Sequence, residues 1–205
     1  MHMNVAILTW EYPPRIIGEM AYYVQKLALQ LSKENLVSVI TFHDAPYSHE
    51  QVSKSLEVYR VPNPVRPHVT VVTWALSLTA EIQRIVADIC YDSSSRPDVI
   101  DAHEWQFATA AAALKRAFGL PFVITLHSLE SQRSSGPTSP LSACIQGLER
   151  LGVHESDKII TMSSWMKSEV ERVHQIPSSK VRPIPESDSW LKETLQAYGQ
   201  AIQHQ

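Results

Sequence analysis

Short apolar runs alternate along this chain with longer segments in which apolar residues return every three or four positions, the rhythm of βαβ units feeding a parallel sheet. The first run, Val5 to Thr9, is apolar at successive positions and predicts a strand buried on both faces. Trp10-Glu11-Tyr12-Pro13-Pro14-Arg15 must then be a loop, because two prolines remove two backbone donors and force extended backbone before them. From about Gly18 to Glu34, Met20, Val24, Leu27 and Leu31 make one stripe with Ala28 beside it, which predicts a helix packed on the sheet.

Further strands are predicted at Val37 to Phe42 and Leu56 to Val61, the second stopped by Pro62-Asn63-Pro64. A long helix fits about His68 to Cys90, where Val71, Ala75, Leu78, Ile82, Ile85 and Ile89 recur at three and four, until Ser93-Ser94-Ser95-Arg96-Pro97 breaks it. Val99 to Ala102 reads as a strand, the alanine-rich stretch from Trp105 to Phe118 as a helix by propensity, and Phe122 to Leu126 as the next strand. The polar stretch from Ser128 to Ser139 is long for a loop in a compact α/β domain, a length that suits a mobile, functional segment. A helix from about Pro140 to Leu151 would bury Leu141, Cys144, Ile145 and Leu148. Then come a strand at Lys158 to Thr161, a helix from Ser164 to about Val173 and a short strand at Val181 to Ile184. From Asp188 onward, Leu191, Leu195, Tyr198 and Ile202 spell an amphipathic helix. The fold class is therefore α/β: a single Rossmann-like domain over residues 1–187 with a mostly parallel sheet of about seven strands, plus a C-terminal helix over residues 188–205 packed back on it.

Composition narrows the chemistry. The 205 residues are 44 % hydrophobic and 19 % charged, enough for one buried core and unlike a disordered or coiled-coil chain. Twenty-one acids against 18 bases leave a net charge of −3, which argues against a nucleic-acid binder that works by counterion release. The two cysteines, Cys90 and Cys144, form no C-x-x-C pair, so neither a disulfide framework nor a cysteine zinc site is expected, and a reducing, cytoplasmic setting fits. No basic leader and no uninterrupted apolar stretch of about 18 residues suggests export or a membrane. The six glycines spell neither G-x-G-x-x-G nor a Walker A loop, and H-E-x-x-H and G-x-S-x-G are absent, so no metal site, serine nucleophile or self-contained nucleotide cradle is written here.

Open parallel sheets bind ligands beyond the carboxyl ends of their strands. The residues that follow the predicted strands are Trp10-Glu11, His43-Asp44, His103-Glu104, His127-Ser128 and Ser163-Ser164. Imidazoles offer one donor and one acceptor, carboxylates hold vicinal hydroxyls, and aromatic faces stack on sugar rings, so the set suits a hydroxyl-rich ligand. Each residue also has a purely structural reading: a histidine after a strand can serve a turn, Glu104 can favour a helix dipole, and Ser163 or Ser164 can cap a helix.

Four segments, in order, carry a resemblance. Trp10 to Arg15 followed by Ile17-Gly18, Asp98-Val99-Ile100-Asp101-Ala102-His103-Glu104-Trp105, Pro121 to Glu130 (P-F-V-I-T-L-H-S-L-E), and Asp157 to Ser163 together resemble the N-terminal domain of GT-B fold, glycogen-synthase-like retaining glycosyltransferases of the group 1 type. The resemblance covers most of the chain. It implies an acceptor-binding part of an enzyme that moves a sugar from a nucleotide-sugar, such as UDP-glucose or ADP-glucose, to a glucan or similar acceptor. It also implies that Trp10, Glu11, Arg15, Gly18, His103, Glu104, His127, Ser128, Glu130 and Ser163 line the sugar-transfer cleft, with no metal and no catalytic residue within this chain alone.

The family's donor nucleotide and its E-x7-E acidic pair belong to a second Rossmann-like domain. Here Pro183-Ile184-Pro185 runs instead into Glu186-Ser187-Asp188-Ser189-Trp190, and the last segment resembles the family's C-terminal crossover helix, which often begins S-W. Family members also carry two glycines before the first helix; here Gly18 is followed by Glu19, whose carboxylate would repel a diphosphate. Three readings follow: half of a glycosyltransferase completed by a second chain carrying the donor domain, a non-catalytic glycan-binding or regulatory remnant, and a piece of a longer enzyme. In each, the isolated chain transfers nothing.

Overall fold

The computed structural model describes residues 2–92, 94–134 and 139–203; the centre of the predicted polar loop, residues 135–138, lies outside them. Among the described residues, eight strands form one sheet: β1 (Asn4–Thr9), β2 (Leu36–Phe42), β3 (Ser48–Ser53), β4 (Leu56–Val61), β5 (Val99–His103), β6 (Phe122–Leu126), β7 (Lys158–Thr161) and β8 (Val181–Pro183). Their order is β3-β4-β2-β1-β5-β6-β7-β8, and every pairing is parallel except the β3–β4 hairpin. Among the described residues, seven α-helices connect or flank them: α1 (Glu19–Leu31), α2 (Val71–Tyr91), α3 (Ala108–Phe118), α4 (Glu130–Arg133), α5 (Pro140–Glu155), α6 (Ser164–His174) and α7 (Trp190–Gln203).

Because strand side chains alternate faces, β1 feeds two cores. Ala6 and Leu8 join α2, α3, Val153 of α5, and α6 on one face, while Val5 and Ile7 join α1 and α7 on the other. Both faces are covered, which is why the central strands are mostly apolar and buried at every residue but Asn4. The α1 stripe read from the sequence, Met20 through Leu31, is buried as expected. Helix α3 ends at Gly119, whose left-handed φ of 65° closes it without a Cβ penalty.

Besides α4, a single turn of helix at Glu130–Arg133 inside the stretch expected to be a loop, the structure differs from the sequence reading in three places. Strand β3 was not expected, because Ser48-His49-Glu50-Gln51-Val52-Ser53 is exposed at every residue and has no apolar alternation; hairpin pairing to β4 alone makes it a strand. Trp105–Phe107 is a 3-10 turn that precedes α3 rather than its first turn. In α5 the buried face is rotated: Ser142, Ile145, Glu149, Gly152 and Val153 face inward, while Leu141 and Cys144 are exposed. Gly152 explains the rotation, since an added Cβ would lie 2.5 Å from Ile124 Cδ1 and 3.0 Å from Ala108 Cβ, so α5 crosses α3 and β6 at its glycine.

Helix α7 returns to the sheet. Trp190, Thr194, Ala197, Tyr198 and Ala201 are buried, and Leu191, Leu195 and Ile202 pack at the margin of the α1-side core.

Candidate functional site

Strand β1 pairs with β2 on one side and β5 on the other, so the direction of winding reverses between β1 and β5. A crevice must open at their carboxyl ends, where the flanking loops part to opposite faces. Two adjoining cavities lie there. One, of about 810 Å³, is walled by Glu11, Glu19, Tyr22, Tyr23, Lys26, Met162 and Glu186. The other, of about 300 Å³, includes Trp10, Glu104, Trp105, Ser128 and Arg133. Glu11, Met20 and His127 belong to both.

Glu11 is buried, and one oxygen of its carboxylate accepts from the backbone N–H of both Ile17 and Gly18 at 2.7 Å each. Those amides open α1, where the helix dipole is positive. An internal carboxylate therefore sits where an anionic ligand would otherwise be held. Glu19 and Glu186 add negative charge to the same wall, and Lys26 is engaged in an ion pair with Glu186.

Glu104 follows β5 with a left-handed φ of 69°, a strained conformation for a residue with a Cβ. That turn brings its Oε1 to the backbone N–H of His127 at 2.6 Å and of Ser128 at 2.9 Å. Its carboxyl is raised, chiefly by burial, against the pull of Arg133 and these two amides. Arg133 ties the surrounding loop together: it donates to Glu130 Oε2 at 3.2 Å, to Glu149 Oε1 at 2.9 Å and to the Ser128 hydroxyl. Burial pushes Glu149 up to about 7, opposed by the Glu130 amide and Arg133.

His127 donates or accepts at 2.9 Å with His103, and burial, with the charge of His103, pushes its imidazole down to about 3, against the opposing pull of Asp101. Tyr23 packs edge-on against it with ring centroids 5.0 Å apart.

The structure thus gathers Trp10, Glu11, Glu104, His127 and Ser128 at one opening, with Gly18 supplying an amide to Glu11. The other expected residues lie apart from it. His103 is fully buried behind His127, and Glu130 is buried in the Arg133 cluster. Ser163 caps α6 by accepting from the Met166 N–H at 3.1 Å, its structural reading. Arg15 stacks on Trp10 and Phe42 and donates to Trp10 O and Asp44, beside a neighbouring opening lined by Arg66, His68 and Trp74. His43 serves a turn, accepting from the Ala45 N–H at 3.0 Å. Arg133, Tyr23 and Met162 were missed by sequence reasoning, because nothing local marks them; only the fold brings them to β1 and β5.

Among the described residues no group of three or more His, Cys, Asp or Glu is placed to hold a metal, and no helix is long and apolar enough to cross a membrane.

A family model described as Glycosyltransferase Family 4 matches residues 20–186. An uncharacterized glycosyltransferase of Methanocaldococcus jannaschii is 35% identical over 184 residues, 89% of this chain and 45% of that protein. A glycogen synthase of Mycobacterium tuberculosis is 31% identical over 182 residues, 82% of this chain and 44% of its own length. The chain thus spans less than half the length of these relatives. Among solved structures, a sucrose-phosphate synthase from Thermosynechococcus elongatus superposes with a TM-score of 0.70 at 15% identity, over 89% of this chain and 48% of that one. A form of the same synthase described by two segments, one long and one short from further along, matches over 98% of both chains at a TM-score of 0.70 and 16% identity.

Proposed function

The chain belongs to glycosyltransferase family 4, and we propose that it is the acceptor-side, N-terminal part of an enzyme that moves a sugar from a nucleotide-sugar to a glucan or similar acceptor. The observation that carries this reading is the crevice at the β1–β5 switch, where Glu11, Glu104, Ser128 and His127 are gathered beside Trp10 and Tyr23. Carboxylates and imidazole bind hydroxyls, and the aromatic rings offer faces to a sugar. The end-to-end likeness to the two-segment synthase supports reading α7 as the crossover helix of such a domain.

Transfer breaks the bond between the anomeric carbon and a diphosphate oxygen, so the departing diphosphate must be held and its charge neutralised. The crevice is poorly equipped for that: its α1 amides are taken by Glu11, and Lys26 is paired with Glu186. The donor, UDP-glucose or ADP-glucose, would be held by a second domain, whether on the same polypeptide or a partner chain, and this chain alone would transfer nothing.

The test is titration of the purified chain with maltotriose and with UDP-glucose or ADP-glucose, followed by amide NMR and by a transfer assay. We expect maltotriose to shift residues of the crevice and no transfer to occur. Turnover by the chain alone, or nucleotide-sugar binding without glycan binding, would overturn the proposal. A second reading, a glycan-binding remnant without catalysis, is favoured by the carboxylate of Glu11 on the α1 amides and by Glu19. Supplying the remaining half of the archaeal relative separates the two: transfer supports the first, and retained glycan binding without transfer supports the second.

A further inference from the structure

A run of hydrogen-bonding side chains, buried as far as His103, leads from α7 to His127 at the crevice. The Tyr198 hydroxyl donates to Asp101 Oδ2 at 2.5 Å, and the Thr125 hydroxyl donates to Asp101 Oδ1 at 2.7 Å. Asp101 Oδ2 lies 3.2 Å from His103 Nε2, off the line of a well-aligned hydrogen bond, and among the described residues that nitrogen has no other partner. His103 Nδ1 meets His127 Nε2 at 2.9 Å. Tyr198, Asp101 and His103 are all 0 % exposed, whereas His127 reaches both cavities.

Two imidazole nitrogens in hydrogen-bond contact share one proton, so the His103–His127 pair has a direction. Asp101 decides which. Burial works to raise its carboxyl, but the neighbouring His103 imidazole and the two hydroxyls that donate to it, those of Tyr198 and Thr125, outweigh that and hold it below its usual range. It is therefore a carboxylate, which can only accept. A carboxylate 3.2 Å away draws the His103 proton to Nε2; the opposite tautomer would set a lone pair against a negative oxygen in a dry interior. His103 Nδ1 must then accept, His127 Nε2–H donates, and His127 Nδ1 is bare.

We infer that Asp101, fixed by Tyr198 and Thr125, is a positioning residue that sets the direction of the His103–His127 hydrogen bond so that His127 offers the crevice an acceptor nitrogen, to which a ligand hydroxyl donates. The inference rests on the sugar-binding reading for its ligand, and it sharpens the class. With Glu11, Glu19 and Glu186 on the adjoining wall, and the one ammonium there, that of Lys26, paired with Glu186, acceptors and negative charge outweigh free cationic donors in this part of the crevice. It selects neutral, hydroxyl-rich ligands and rejects a phosphate or carboxylate.

The test is a long-range proton–nitrogen correlation spectrum of the full chain, labelled with nitrogen-15, at pH 8 without ligand. In the wild type both His103 and His127 should be Nε2–H tautomers. In Asp101→Asn, whose side-chain amide can donate to His103 Nε2, both should flip to Nδ1–H. A wild-type His127 protonated on Nδ1, a His103 protonated on both nitrogens, or a folded Asp101→Asn that keeps the wild-type tautomers would overturn the inference. Should the variant not fold, the wild-type spectrum still decides. Maltotriose is then added: His127 Nδ1 should shift as it accepts a hydroxyl. No perturbation anywhere would sink the sugar reading while leaving the tautomers standing, and binding to a chain with the reverse tautomers would do the opposite.

Discussion

Replacing Glu11 with alanine would strip two backbone amides of their shared acceptor and open the positive end of α1. The expected cost is about 1–3 kcal/mol for leaving half-buried donors unpaired, read from urea unfolding. Inorganic phosphate, which should leave the Ile17 and Gly18 amides unmoved in the wild type, should shift both in Glu11→Ala; an unchanged spectrum would show that the carboxylate does not guard the site. The position of Glu11, two residues beyond β1, and of His127, directly after β6, was legible in the sequence, because the carboxyl ends of apolar parallel strands mark one edge of the sheet. Sequence placement could not separate His127, which faces the crevice, from His103, which is buried behind it, since both stand at a strand end. Asp101 carried a signal of its own: a carboxylate inside a strand that is otherwise apolar needs partners, although nothing local reveals that one of them is Tyr198.

Elements were read well where burial imposed a period and poorly where contact geometry overrode it. The α1 and α2 stripes face the core as spaced, apart from Val71, which starts α2 and is exposed. The periodicity of α5 misled, because the most apolar face of an isolated helix need not be the face that a close crossing selects. Gly152→Ala tests that crossing. Its methyl group would have to displace Ile124 and the Cβ of Ala108, with an expected loss of about 1–3 kcal/mol and no change in glycan binding. The same change at Gly147, which meets nothing within 4 Å on the same helix, should be neutral or stabilising. Equal effects at the two positions would mean that the helix is free to shift.

For the whole molecule, buried ionisable groups shape the dependence of stability on pH. Burial holds His127 down to about 3 and His174 down to about 4, whereas in the unfolded chain both bind a proton near pH 6.5. Between those values the unfolded state holds more protons, so stability falls as pH drops from about 6.5. Glu149 acts with the opposite sign: raised to about 7, it keeps a proton in the folded chain that the unfolded chain releases above about 4.5, so its contribution is lost as pH rises through that window. His174→Phe should therefore flatten the acid limb, measured as urea midpoints from pH 4 to 7; an unchanged slope would refute the assignment. The bond from Tyr198 to Asp101, 97 residues apart, also carries a timing consequence. On a chain emerging N-terminus first at ~5–20 residues per second, Asp101 is made ~5–20 s before its phenol partner. Through that interval its carboxylate lacks one of its two hydroxyl donors, so the finished packing of the middle of the sheet around it waits for α7.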